Sequence, residues 1–147
     1  MSSTFRVGDR LPRLRHTATA FQLFRYSAVT WNPHRIHFDE SYARTERHGG
    51  LALHSHLRAA LALRCVTEGL GPGWHVTNVS YRLRKPVYAP ADLTYTARVE
   101  AAEGDSLTFG LIEESPSGDV GFEGTVQVSK TGGENTDRRV SVVGATP

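Results

Sequence analysis

The chain has 147 residues, 39% of them apolar and 22% charged, with a formal net charge of +2. That length suits one domain with its own core, and the small, scattered positive charge makes no case for a nucleic-acid partner. One cysteine, Cys65, excludes an internal disulfide and fits a reducing compartment; no apolar run approaches the roughly 20 residues of a membrane span, and the N-terminus lacks the apolar core of a signal peptide, so the expectation is a cytoplasmic protein with no membrane partner.

Residues 1–19 read as a polar arm with a turn at Gly8-Asp9 and a short strand. Residues 20–31 place Phe21, Phe24 and Ala28 at helical spacing, which predicts a short helix. The stretch Thr30-Trp31-Asn32-Pro33-His34-Arg35-Ile36-His37-Phe38-Asp39 then crowds imidazoles, a guanidinium, an amide and a carboxylate around a proline. Burying such groups is costly unless each finds a partner, so a structured loop at a cleft is expected. Asp39 precedes Glu40-Ser41-Tyr42-Ala43 and is placed to cap a short helix, ended by Gly49-Gly50.

Residues 53–68 repeat Leu53, Leu57, Leu61 and Cys65 every four positions, with alanines on most other faces. A helix apolar nearly all round is surrounded by protein. Cys65 on it reads as a buried structural thiol. Gly69, Gly71, Pro72 and Gly73 stop the helix. From residue 75 the period becomes two: Val79, Tyr81 and Leu83, then Leu93, Tyr95, Ala97 and Val99, then Leu107, Phe109 and Leu111 after a Gly104-Asp105 turn, then Val120 and Phe122, with Gly124 as an expected bulge. Residues 130–147 are polar and read as a mobile tail. One buried helix followed by antiparallel strands is an α+β pattern. Trp31 and Trp74 are expected to be packing residues.

The polar loop resembles the active-site loop of the MaoC-like (R)-specific enoyl-CoA hydratases, S-G-D-x-N-P-x-H-x-D. Thr30 takes the serine position, Asn32 the catalytic aspartate, His37 the catalytic histidine and Asp39 the last aspartate. The wording N-x-H-R-I-H-F-D is more like the fungal-type and mesaconyl-CoA-type dehydratases. The resemblance extends to His54-Ser55-His56-Leu57, where the family has H-G-x-L, and to residues 79–100, covering roughly 5–129. It implies a single hotdog domain over 1–129, a sheet wrapped around the 53–68 helix and paired with a second copy or a related chain. It implies a hydro-lyase that hydrates an enoyl thioester or dehydrates the 3-hydroxyacyl thioester of coenzyme A or a carrier protein.

Such chemistry needs a base, an acid for the α-carbon and a holder for the enolate oxygen. Histidine suits the base role near neutral pH. His37 carries it by the resemblance; Asn32, unable to exchange a proton as a carboxyl does, would orient a water. His34 and Asp39 remain alternatives for a second proton carrier, and Asp39 equally caps the following helix. The start of the central helix, at His54, Ser55 and His56, is the expected substrate-binding oxyanion site, unless Ser55 must adopt the left-handed backbone that favours glycine. No histidine spacing matches a metal site, and no cofactor is implied. Arg82, Arg84 and Lys85 either meet substrate phosphates or form a solvated sheet edge. A non-catalytic hotdog subunit is the second reading. A thioesterase is the third, since 53–66 holds no carboxylate.

Overall fold

The computed structural model describes residues 5–131 and 141–143. Among these residues, eight strands and three α-helices follow in chain order: β1 Leu14–Ala18, α1 Ala20–Thr30, a 3-10 turn Arg35–His37, α2 Glu40–Thr45, β2 Leu51–Ala52, α3 Ser55–Leu70, β3 Trp74–Leu83, β4 Tyr88–Ala89, β5 Ala91–Glu103, β6 Ser106–Glu114, β7 Val120–Lys130 and β8 Ser141–Val143. Six strands form one sheet in the order β1-β5-β6-β7-β3-β8; β2 and β4 form a separate pair. The sheet is antiparallel except where β8 runs parallel to β3 along Asn78–Ser80. The expected mobile tail otherwise falls at residues 132–140 and 144–147, outside the described residues.

The period-two residues explain the curl of the sheet. Leu93, Tyr95, Ala97, Val99, Leu107, Phe109, Leu111, Val126 and Val128 are buried on one face. Against them α3 packs Leu57, Leu61, Ala62, Cys65 and Val66. This is the hotdog arrangement, an α+β fold with α3 as its central helix. Cys65 is buried, its Sγ donating to the carbonyls of Pro12 and Tyr95 at 3.5 and 3.6 Å. Burial pushes its thiol up, away from the reactive thiolate.

Several local expectations are corrected. Helix α3 starts two residues later than expected and ends at Leu70. Helix α2 ends at Thr45, ahead of Gly49-Gly50, because Arg47 itself turns left-handed at φ 64°. On α1 the inward face is Leu23 and Ser27, while Phe21 and Phe24 stand 68% and 58% exposed. Trp31 is 92% exposed, so it does not pack; Trp74 does, edge-on to Phe5. Leu83, in phase with the buried Val79, is 41% exposed. The register shift in β7 falls at Gly121, between the pairs Glu113–Phe122 and Glu114–Val120, and not at Gly124. Gly124 stays in register opposite Tyr81, where a Cβ would meet the Ser80 carbonyl oxygen at 2.5 Å.

Sequence periodicity did not mark the polar centre of the core. Arg58, on α3, is 1% exposed and forks onto Glu113 of β6, with Nη2 to Oε1 at 2.5 Å. Its Nε donates to both carboxylate oxygens at 3.1 and 3.0 Å. Its Nη1 donates to the Lys85 carbonyl, and the Tyr95 hydroxyl donates to Glu113 Oε2 at 2.8 Å. Burial beside Glu113 pushes the Tyr95 phenol up, so it stays a donor. Gly121 makes room for the pair: a Cβ there would meet Arg58 Nη2 at 2.7 Å and Glu113 Oε1 at 2.8 Å. A buried pair that loses one member leaves the other uncompensated, at about 3–5 kcal/mol. Glu113→Ala should therefore lower urea-denaturation stability by about that much, and the double variant Arg58→Leu/Glu113→Leu should lose less than the sum of its single changes. Additive losses would mean that the pair is not coupled.

Candidate active site

The site is built where α1, the polar loop and the start of α3 meet. Helix α1 stops at Trp31, whose left-handed φ of 52° stands where the resembled motif has glycine. The Asn32 N–H then donates to the Ser27 carbonyl, and its Oδ1 accepts from the His34 N–H at 3.2 Å. His34 caps the 3-10 turn, its Nδ1 accepting from the Ile36 N–H. That turn swings His37 inward, and it is the one residue of the turn that is buried.

His37 is tied to β2. Its Nδ1 lies 2.7 Å from the Ala52 carbonyl oxygen. A carbonyl only accepts, so Nδ1 carries the proton, and Nε2 holds the free lone pair of the neutral ring. Nε2 has no protein partner among the described residues and keeps contact with solvent. Burial pulls the His37 pKa below the usual imidazole value, and the nearby His34 and His48 push the same way; the Ala52 bond opposes them. His37 is thus uncharged at neutral pH, with one basic nitrogen facing out.

His54 lies flat behind it, the two ring centroids 3.7 Å apart and the planes 18° from parallel. Its Nε2 is 2.8 Å from the Ser27 hydroxyl, its Nδ1 is buried with no partner, and the ring is 2% exposed. The Tyr26 ring also lies against it, tilted by 58° with ring centroids 4.7 Å apart. Burial, then His37 and His56, bring its pKa down to about 4. The side chain of His54 therefore faces His37 rather than open space. No side chain caps α3 at His54, and the first amide bonded within the helix is that of Arg58, to the His54 carbonyl. The N–H groups of Ser55, His56 and Leu57 are the free donors of the helix start. Ser55 is helical and is not among the left-handed residues, so no glycine is needed there. The His56 side chain is exposed.

The loop's other polar groups hold its shape. Asp39 accepts from the Tyr42 N–H at 3.0 Å and from Arg35 at 2.6 Å, and these bonds, the Tyr42 amide first, hold its carboxyl below the usual range. Capping is its role in this geometry. His34 is exposed, its ring centroid 6.0 Å from that of His37. A cleft of about 410 Å³ opens beside the loop, lined by Phe24, Ser27, Ala28, Trp31, Asn32, Pro33 and Phe38. The basic cluster is partly neutralised: Arg84 pairs with Glu123 and Lys85 with Asp119. The site thus brings together His37, His54, Asn32, His34 and the start of α3. Ser27 and Tyr26 were not anticipated; a serine on the inward face of an apolar helix was the available signal.

Residues 9–89 match the family model of hydroxyacyl-thioester dehydratase type 2. Over 107 residues the chain is 32% identical to mesaconyl-C(4)-CoA hydratase of Chloroflexus aurantiacus, a match covering 72% of this chain and 36% of that protein. The chain thus spans about a third of the length of that relative. Among solved structures, the (R)-hydratase from A. caviae involved in PHA biosynthesis superposes with a TM-score of 0.82 at 20% identity, over 88% of this chain and all of that one. The ChsH1-ChsH2 complex from Mycobacterium tuberculosis matches at 0.80 and 22%, over 86% and 98%. These two likenesses bear on the fold. On the family-model match and the identity to the hydratase, the chain belongs to the hydroxyacyl-thioester dehydratase type 2 family.

Proposed function

We propose that the chain is a hydro-lyase acting on acyl thioesters, adding water to an enoyl thioester or removing it from the 3-hydroxyacyl form. The observation that carries this reading is the 2.7 Å bond from His37 Nδ1 to the Ala52 carbonyl, which leaves Nε2 as the free basic nitrogen. His37 Nε2 takes a proton from water as the oxygen adds to the β-carbon. The electrons of the double bond move toward the thioester, whose enolate oxygen is held by the N–H groups of Ser55 and His56, aided by the helix dipole. His37 then returns the same proton to the α-carbon. Asn32 Oδ1 is engaged by the His34 amide, so its side-chain NH₂ is the part left to orient the water. His34, exposed beside His37, is the second candidate proton carrier. The acyl carrier is coenzyme A or a carrier protein, and the chain works as a homodimer or with a related subunit, since the edge strands of a small sheet favour pairing.

The partner-subunit reading is favoured by Asn32 standing where the resembled motif has a catalytic acid. A thioesterase is the weaker reading: the one carboxylate of α3, Glu68, is exposed at the far end and bonded to Arg64.

The test is hydration of crotonyl-CoA and longer enoyl-CoAs by the purified protein. His37→Ala should lower kcat by about 10²–10⁴-fold without unfolding the chain. Asn32→Ala should lose less, and Asn32→Asp should keep or raise activity. Wild-type turnover in His37→Ala would remove His37 from the chemistry, and an inactive wild type would favour the partner-subunit reading.

The pH dependence has a definite sign. The base works uncharged, and burial lowers its pKa. The acid limb of kcat/KM should therefore fall below the ordinary imidazole value of about 6.5. A limb above that value would contradict a buried base.

Light scattering at micromolar concentration should give at least twice the chain mass of 16.2 kDa. A monomer that retains activity would exclude a shared site.

A further inference from the structure

A hydrogen bond along one edge of a ring leaves the ring free to swing about that bond. His37 is held this way, by Nδ1 to the Ala52 carbonyl, and Nε2 would sweep an arc if nothing else constrained it. The second constraint is the flat face of His54, 3.7 Å away and 18° from parallel. We propose that Ser27 and His54 form a positioning unit for His37: a buried imidazole plate, anchored to α1 through the Ser27 hydroxyl, that fixes the plane of the base and hence the direction of its lone pair. This rests on the reading of His37 as the base.

The chemistry of the pair argues against mere filling. A core position that needs only bulk is best served by an apolar side chain, because a buried polar atom without a partner costs free energy. His54 nevertheless carries an unpartnered buried Nδ1 and spends its other nitrogen on Ser27. Ser27 is the one buried polar residue of α1. An unsatisfied buried N–H is rarer than an unsatisfied acceptor, which favours the tautomer with hydrogen on Nε2, donated to the Ser27 oxygen. The plate is then uncharged and repels no proton from His37, while its bulk keeps water off one face. The titratable groups around the stack are His34 and His48 beside His37, Tyr26 from α1 over His54, and His56 from the first turn of α3.

The experiment compares His54→Ala, His54→Phe and Ser27→Ala, each checked for folding by circular dichroism. Crotonyl-CoA hydration is followed against pH, and the His37 ring is titrated by NMR. Removing the plate should lower kcat by about 10–100-fold, the scale of a small misplacement of a reacting group, with little change in KM. It should also let water reach His37, so both the acid limb of kcat/KM and the NMR titration of His37 move up toward about 6.5. Ser27→Ala should shift both in the same direction by less. His54→Phe, which restores a flat ring without a titrating group, should recover most of the loss. The proposal is overturned if His54→Ala raises KM at constant kcat, which would place the ring against substrate. It is equally overturned if the His37 titration does not move, or if His54→Phe is as impaired as His54→Ala. Should His54→Ala not fold, the Phe and Ser27 variants decide on the same two readouts. Activity that persists in His37→Ala would remove the base assignment, and the NMR titration would still report whether the plate sets the environment of His37.

Discussion

The forked contact between Arg58 and Glu113 ties the central helix to the sheet at a point where neither end can slide. Apolar packing alone is tolerant of small shifts along a helix, since leucines and alanines exchange neighbours at modest cost. A guanidinium that must face one carboxylate and one backbone carbonyl at once is not tolerant. Arg58 lies one turn after His54, and its amide makes the first hydrogen bond of the helix, to the His54 carbonyl. Fixing Arg58 on β6 therefore also fixes where the helix begins, and with it the free N–H groups and the His54 ring. The gap left by Gly121 is part of the same constraint, because any side chain there would collide with the pair.

The polar loop is referenced to that helix start by contacts of a different kind. His37 reaches β2, and β2 is held through Leu51–Ala89 and Ala52–Tyr88 pairing to β4 and by the Leu53 amide on the Val87 carbonyl. The loop's own shape comes from short-range capping by Asn32, His34 and Asp39, each accepting an amide two or three residues ahead. A polar loop of this composition can thus be ordered without a core of its own. Its groups satisfy one another locally, and a single imidazole is sent inward.

Much of this was legible in the sequence. Leu57, Leu61 and Cys65 at four-residue spacing announce the buried helix, and the alternation through Leu93–Val99 and Leu107–Leu111 announces the strands. The loop motif singles out His37, and His37 is the buried residue of the 3-10 turn. The errors share a cause. On α1 the spacing of Phe21, Phe24 and Ala28 announces a helix but not its inward face, which is Leu23 and Ser27, the latter bonded to His54. Hydrophobic periodicity cannot register such a bond. Arg58 and Glu113 are 55 positions apart, and nothing local marks either as buried. Gly121 was passed over in favour of Gly124 for the same reason: the bulge accommodates a long-range pair. What the sequence hides is the partner of each buried polar group.

The uncharged state of His54 carries a thermodynamic consequence of its own. In the folded chain the ring takes up a proton only near pH 4, whereas in the unfolded chain it does so at the ordinary value of about 6.5. Above about 6.5 both states are neutral and the ring contributes no pH dependence. Between about 6.5 and 4 the unfolded chain binds a proton that the folded chain refuses, so stability declines as pH falls through that window. His37, lowered in the same direction, adds to the effect. Below about 6.5, His54 is therefore a group that the unfolded chain protonates before the folded one does. Acidification therefore weakens the hold of α1 and α3 on each other at the same time as it charges His37.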